Sequence, residues 1–137
     1  MIRVVLDTNI VLSGFFWDGN PRRFLGDEFD LVRFTSEPLL DELADVLHRP
    51  KFQHRLTRSP LSLDQLLEQY QVLSVVIVPQ AMARIAPDPD DDVVIGTAVA
   101  AKADFIVTGD SGLLSVGEYA GVRIVSVRDA LESLESA

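Results

Sequence analysis

The 137-residue chain carries a formal charge of −9, is 47% hydrophobic and contains no cysteine. This composition excludes a disordered chain, disulfides, thiolate zinc sites and cysteine nucleophiles, and the length fits a single domain over residues 1–137 with a full core. Met1-Ile2-Arg3 leads into a short apolar strand rather than a secretory leader, and no apolar run reaches membrane-spanning length, so a cytoplasmic protein without membrane contact is expected.

Arg3 to Leu6 predicts a first buried strand, ended by Asp7. A helix from Thr8 meets interruptions at Ser13-Gly14 and at Asp18-Gly19-Asn20-Pro21. A short helix over Arg22 to Asp27 and a strand over Leu31 to Thr35 follow. Ser36 as N-cap and Pro38 in the first turn open a helix to about His48, which must stop before Pro50. Leu61 to Gln71 predicts another helix, capped by Ser62 or Ser59, and Val72 to Val78 a strand or extended connection. Asp88-Pro89 opens a helix to about Lys102, whose small residues (Gly96, Ala98, Ala100, Ala101) suit close packing on a sheet. Asp104 to Thr108 is a strand, Ser111 to Ser115 a short helix, Val122 to Val127 a strand and Arg128 to Leu134 a closing helix. Helices alternating with strands that are apolar on both faces predict a three-layer α/β/α sandwich around a mostly parallel sheet.

On such a sheet, strand ends and the helix starts after them meet along one edge. Asp7 and Asp110 each follow a predicted strand, and Glu42 and Asp92 lie in early turns of two helices. Each acid has an ordinary explanation as a cap, a macrodipole partner or a solvated side chain. Their convergence on one edge favours compensation by a hard divalent cation. Helical phase sets Glu42 beside the apolar arc of Leu39, Leu43, Val46 and Leu47, whereas Asp45 points away. Phase does not choose between Asp91 and Asp92, both near the Ile95 face. Asn9 is placed to orient Asp7 or a metal-bound water.

The acid-free stretch between Asp45 and Asp64 holds Arg49, Lys51, Arg55 and Arg58, 4 of the 12 basic side chains. It reads as a guide for a phosphodiester or as a solvated loop. His48 and His54 lie in this stretch, away from the acidic edge, and are not expected to be catalytic. Phe15, Phe16 and Trp17 fit core packing or a dimer contact better than base stacking.

An aspartyl-phosphate phosphatase expects a second aspartate two residues after the first, where Asn9 stands. A receiver domain expects an acidic pair and a strand-end lysine, and the chain has neither. The motifs Val4-Val5-Leu6-Asp7-Thr8-Asn9, Ser36-Glu37-Pro38-Leu39-Leu40-Asp41-Glu42-Leu43, Asp88-Pro89-Asp90-Asp91-Asp92-Val93-Val94-Ile95 and Phe105-Ile106-Val107-Thr108-Gly109-Asp110, in this order, resemble the PIN-domain family, particularly its VapC-like toxin ribonucleases. The resemblance implies a PIN-like fold and an acidic quartet of Asp7, Glu42, Asp92 and Asp110 that holds Mg²⁺ or Mn²⁺ and is catalytic. It selects Asp92 over Asp91 and gives Asn9 and Thr108 supporting positions. It further implies metal-dependent RNA cleavage, a cognate antitoxin and a homodimer. The alternative is a PIN fold that binds RNA or protein without catalysis.

Overall fold

The computed structural model describes residues 1–136. Six strands, β1 (Ile2–Leu6), β2 (Leu31–Ser36), β3 (Ser74–Ile77), β4 (Phe105–Val107), β5 (Glu118–Tyr119) and β6 (Val122–Val125), form one sheet in the order β3-β2-β1-β4-β6-β5. All pairings are parallel except β5 with β6. The helices are α1 (Thr8–Phe16), α2 (Glu37–Leu47), α3 (Pro50–Arg58), α4 (Leu63–Leu73), α5 (Pro89–Ala101), α6 (Ser111–Val116) and α7 (Val127–Glu135), with a 3-10 turn over Asn20–Phe24. The expected α/β/α sandwich is the observed one.

Side-chain alternation along the strands builds two cores. Val4, Leu6, Phe105, Val107 and Val125 face one side, where they meet Ile10 and Val11 of α1, Leu43 and Leu47 of α2, Tyr70 of α4 and Leu131 of α7. Val5, Phe34, Ile106, Val122 and Ile124 face the other, against Val94, Ile95 and Ala98 of α5 and Leu113 of α6. From β1 the chain moves outward through β2 to β3, and then returns to the opposite side of β1 for β4. The strand order therefore reverses between β1 and β4, and a crevice opens beyond their carboxyl ends.

Four local expectations differ from the structure. The helix after Asp7 runs through Ser13-Gly14 to Phe16, because the missing Cβ at Gly14 admits the Leu25 side chain: a Cβ there would stand 2.6 Å from Leu25 Cδ1. The segment after Pro50 is a helix rather than a loop, anchored by buried Phe52. Ser36 does not cap α2 through its side chain, since its hydroxyl is hydrogen-bonded to Thr97 Oγ1 at 2.9 Å. The strand β5 has no counterpart in the predicted elements. Ser62 does cap α4, in a reciprocal capping box with Gln65.

Close packing of α5 positions the acidic turn at its start. Gly96 O accepts from Gln80 N at 3.0 Å, and a Cβ on Gly96 would lie 2.4 Å from Gln80 O. Gly96→Ala therefore gains about 1 kcal/mol of helix propensity but overpacks a backbone oxygen that cannot move cheaply, at a cost of roughly 1–3 kcal/mol. Urea unfolding is expected to show a net loss of stability; a net gain would mean that the 79–82 backbone yields freely.

Candidate metal centre

The crevice between β1 and β4 is a cleft of about 220 Å³ whose walls include Asp7, Thr8, Asn9, Glu42, Asp88, Asp90, Asp91 and Asp110. Asp7 ends β1 and is 7% exposed. Its Oδ1 accepts from Thr8 N at 2.9 Å, capping α1, and its Oδ2 accepts from the Thr108 hydroxyl at 2.7 Å. The Thr8 hydroxyl donates to Glu42 Oε2 at 3.0 Å, so one threonine joins the first helix to the second. Asp110 caps α6 through Leu113 N at 2.9 Å, and its own N–H donates to Thr108 Oγ1 at 3.0 Å. Thr108 thus links the two strand-end aspartates.

Asp92 departs from the sequence reading. It is buried, and its Oδ1 accepts from the backbone N–H groups of Ile85 at 3.1 Å and Ala86 at 2.8 Å. Its Oδ2 lies 3.5 Å from Arg84 Nε. Asp92 lines a separate groove with Pro38, Met82, Pro89 and Val93, behind the acidic crevice. The backbone N–H groups of the loop before α5 capture the Asp92 carboxylate and leave Asp91 to face the crevice. Asp7, Glu42, Asp91 and Asp110 are therefore brought together, with Asp88 and Asp90 at the rim. Asp91 stands in the dense acidic run of the sequence, but the deciding contact is tertiary and leaves no periodic signal.

The electrostatics follow from this crowding. Burial raises the Asp7 pKa, the Thr108 and Thr8 hydrogen bonds oppose the shift, and the Asp110 charge adds to it. Glu42 stands open at the rim, yet desolvation of its carboxylate raises its pKa, opposed by the Thr8 hydrogen bond and reinforced by Asp7 and Asp90. Asp91 is pushed up to about 7 by burial, by the Asp110 charge and their shared hydrogen bond, and by Asp7 and Asp88. Gly112 leaves room around this pair: a Cβ there would sit 3.0 Å from Asp110 Oδ2 and 3.6 Å from Asp91 Oδ2.

These donors fit a hard divalent cation. All are anionic oxygens, and burial first, with neighbouring carboxylates second, disfavours their charge, which a bound cation would offset. Among the described residues no three such side chains close around one point. Arg49 and Lys51 of the basic stretch line the same cleft, while Arg55 lies over the Trp17 ring, 4.2 Å from its centroid, and Arg58 is exposed at the end of α3. His48 is held at the end of α2 by an Nδ1 contact of 2.7 Å to Ala44 O.

The folded chain retains a proton on Asp91 up to pH about 7, whereas an unfolded aspartate releases it near 3.8. Between these values the native state binds more protons, so stability present at low pH is lost as pH rises through about 7. The EDTA-treated protein is expected to melt at a lower temperature at pH 8 than at pH 5.5, with Asp91→Asn flattening the dependence and Mg²⁺ or Mn²⁺ restoring stability at pH 8. A melting temperature that rises steadily over this range in both proteins would contradict the crowding.

Comparison with known proteins agrees with the fold. The family model described as "PIN domain" matches residues 3–112. The uncharacterized protein MJ1680 of Methanocaldococcus jannaschii is 32% identical over 121 residues, covering 84% of this chain and 75% of the relative. A chain in the crystal structure of VapBC2 from Rickettsia felis, bound to a DNA fragment from their promoter, superposes with a TM-score of 0.57 at 14% identity, covering 91% of this chain and 98% of that one. The chain belongs to the PIN-domain family.

Proposed function

We propose that the protein is a Mg²⁺- or Mn²⁺-dependent endoribonuclease, the toxin component of a VapBC-type module, acting in the cytoplasm. The observation that carries this reading is the meeting of Asp7, Glu42, Asp91 and Asp110 in one crevice with Arg49 and Lys51 on its wall. The acids suit a divalent cation and the bases suit a phosphodiester. Membership of the PIN family supports the nuclease class, and the fold likeness to a chain of a VapBC complex supports an antitoxin as partner.

In this reading Asp7, Asp91 and Asp110 hold the cation, and Asp92 acts only as a clasp on the loop before α5. When bound, the cation lowers the pKa of a water and offsets charge on the scissile phosphate. The two hydrogen bonds to Asp7 keep its carboxylate in one orientation. Glu42, with its raised pKa, is suited to take the proton of the attacking water. Arg49 and Lys51 bind the flanking phosphates, and Asn9 orients water at the rim.

The purified protein with Mn²⁺ is expected to cleave a mixed RNA pool. Asp7→Asn and Asp91→Asn should each lower the rate at least about 100-fold, and Thr108→Val about 10–100-fold through loss of the Asp7 contact. EDTA should abolish cleavage. Tight RNA binding with no cleavage under any divalent cation would replace this reading with that of a non-catalytic RNA-binding module.

We also propose a homodimer formed along β3. This edge strand exposes Val75 and Val76, with Val72 and Val78 beside it, and the sequence has no charge between Glu68 and Arg84. A two-fold contact sets a patch against itself, so in a chain of charge −9 an uncharged patch is where copies meet without repulsion. Sedimentation should show a dimer that Val76→Lys converts to monomer; a monomeric wild-type chain at 100-fold dilution series through the micromolar range would overturn it.

A further inference from the structure

We propose that Trp17 and Arg55 form a nucleobase-stacking subsite for an unpaired base of the strand whose backbone crosses the acidic cleft. This rests on the ribonuclease reading of that cleft and adds to it a single-stranded substrate gripped away from the point of cleavage.

Core packing does not account for Trp17. The residue is 42% exposed, whereas Phe16 beside it is half-buried against the core and Phe52 is buried in it. The indole is nevertheless held in place. Trp17 is the C-cap of α1, the helix that Asp7 caps at its start, and its backbone N–H donates to Ser13 O at 3.0 Å, which fixes where the side chain leaves the helix. Phe16 meets the ring edge-to-face at 6.1 Å, and Arg55 lies over it at 4.2 Å. An exposed aromatic backed by a guanidinium is a platform on which any base can stack.

The platform is continuous with the cleft. Phe52 and Lys51 line the cleft wall, and the Phe52 ring stacks on Phe16 at 5.8 Å. Trp17 is thus two ring contacts from the cleft wall, no more than about 12 Å, which is a span of a few nucleotides. The cations on this path are not neutralised by carboxylates. Among the described residues Lys51, Arg55 and Arg58 pair with no carboxylate, and Arg49 reaches Asp45 only at 3.8 Å. In a chain with 21 acidic residues, four cations without an acid among them from Val46 to Leu63 mark a track for a polyanion.

Trp17 is the only tryptophan, so its fluorescence reports this site alone. The probe is single-stranded oligoadenylate RNA bound in Mg²⁺ to the full chain carrying Asp7→Asn, to suppress cleavage. The single strand should quench Trp17, and an abasic residue at one position along it should abolish the quench. Trp17→Leu should weaken binding, read by anisotropy of a labelled strand, roughly 5- to 100-fold, and Trp17→Phe should recover most of the loss. The same sequence in a duplex should leave the fluorescence unchanged. Unquenched fluorescence at saturating single strand, or equal quenching by every abasic strand, would overturn the subsite. Cleavage by the wild-type chain is scored separately: cleavage without quenching removes the subsite and leaves the nuclease, and quenching without cleavage removes the nuclease and leaves the subsite.

Discussion

Like charge gathered in a crevice is the constraint on which this structure turns. Parallel strands deliver their carboxyl ends to one edge, and the reversal of strand order between β1 and β4 opens that edge into a cleft. Asp7 leaves one strand and Asp110 follows the other, so the topology itself sets two acids on the same opening. Helices α2 and α5 add Glu42 and Asp91. Burial and the neighbouring carboxylates together push the Asp91 pKa up to about 7, so without a cation the cleft favours a proton there.

Neutral donors carry much of the organisation. The Thr108 hydroxyl donates to Asp7, and Thr108 Oγ1 accepts from the Asp110 backbone, which keeps the two strand ends in register without adding charge. Thr8 does the same between α1 and Glu42. Asp92 has a different task. By binding two backbone N–H groups it folds the 85–92 turn back on itself and directs its neighbour Asp91 forward. Adjacent aspartates in one helix turn thereby serve opposite sides of the same element, one toward backbone and one toward the cleft.

The parts of the fold that depend on local pattern were legible in the amino-acid sequence. Buried parallel strands show as apolar runs such as Val4-Val5-Leu6 and Phe105-Ile106-Val107, and the caps at Ser62 and Asp88 follow from short-range hydrogen bonding. What escaped depends on tertiary contacts. α3 is short and strongly polar, and its apolar face is only Phe52 and Leu56, too few side chains to set it apart from a loop after Pro50. Gly14 breaks nothing because Leu25 occupies the space its side chain would need. The positions of Asp91 and Asp92 are separated by contacts with Ile85 and Ala86, which helical phase cannot register. Trp17 read with Phe15 and Phe16 as core packing or a dimer contact, and the core part of that reading fails because the helix ends just before it and leaves the side chain exposed.

Manganese uptake, followed by calorimetric titration of the metal-free protein and of two variants, tests the central claim most directly. The wild-type chain and Asp92→Asn should both bind the ion, and Asp91→Asn should bind it at least about 10-fold more weakly. Loss of binding in Asp92→Asn with retention in Asp91→Asn, or no uptake by the wild-type chain, would contradict the account.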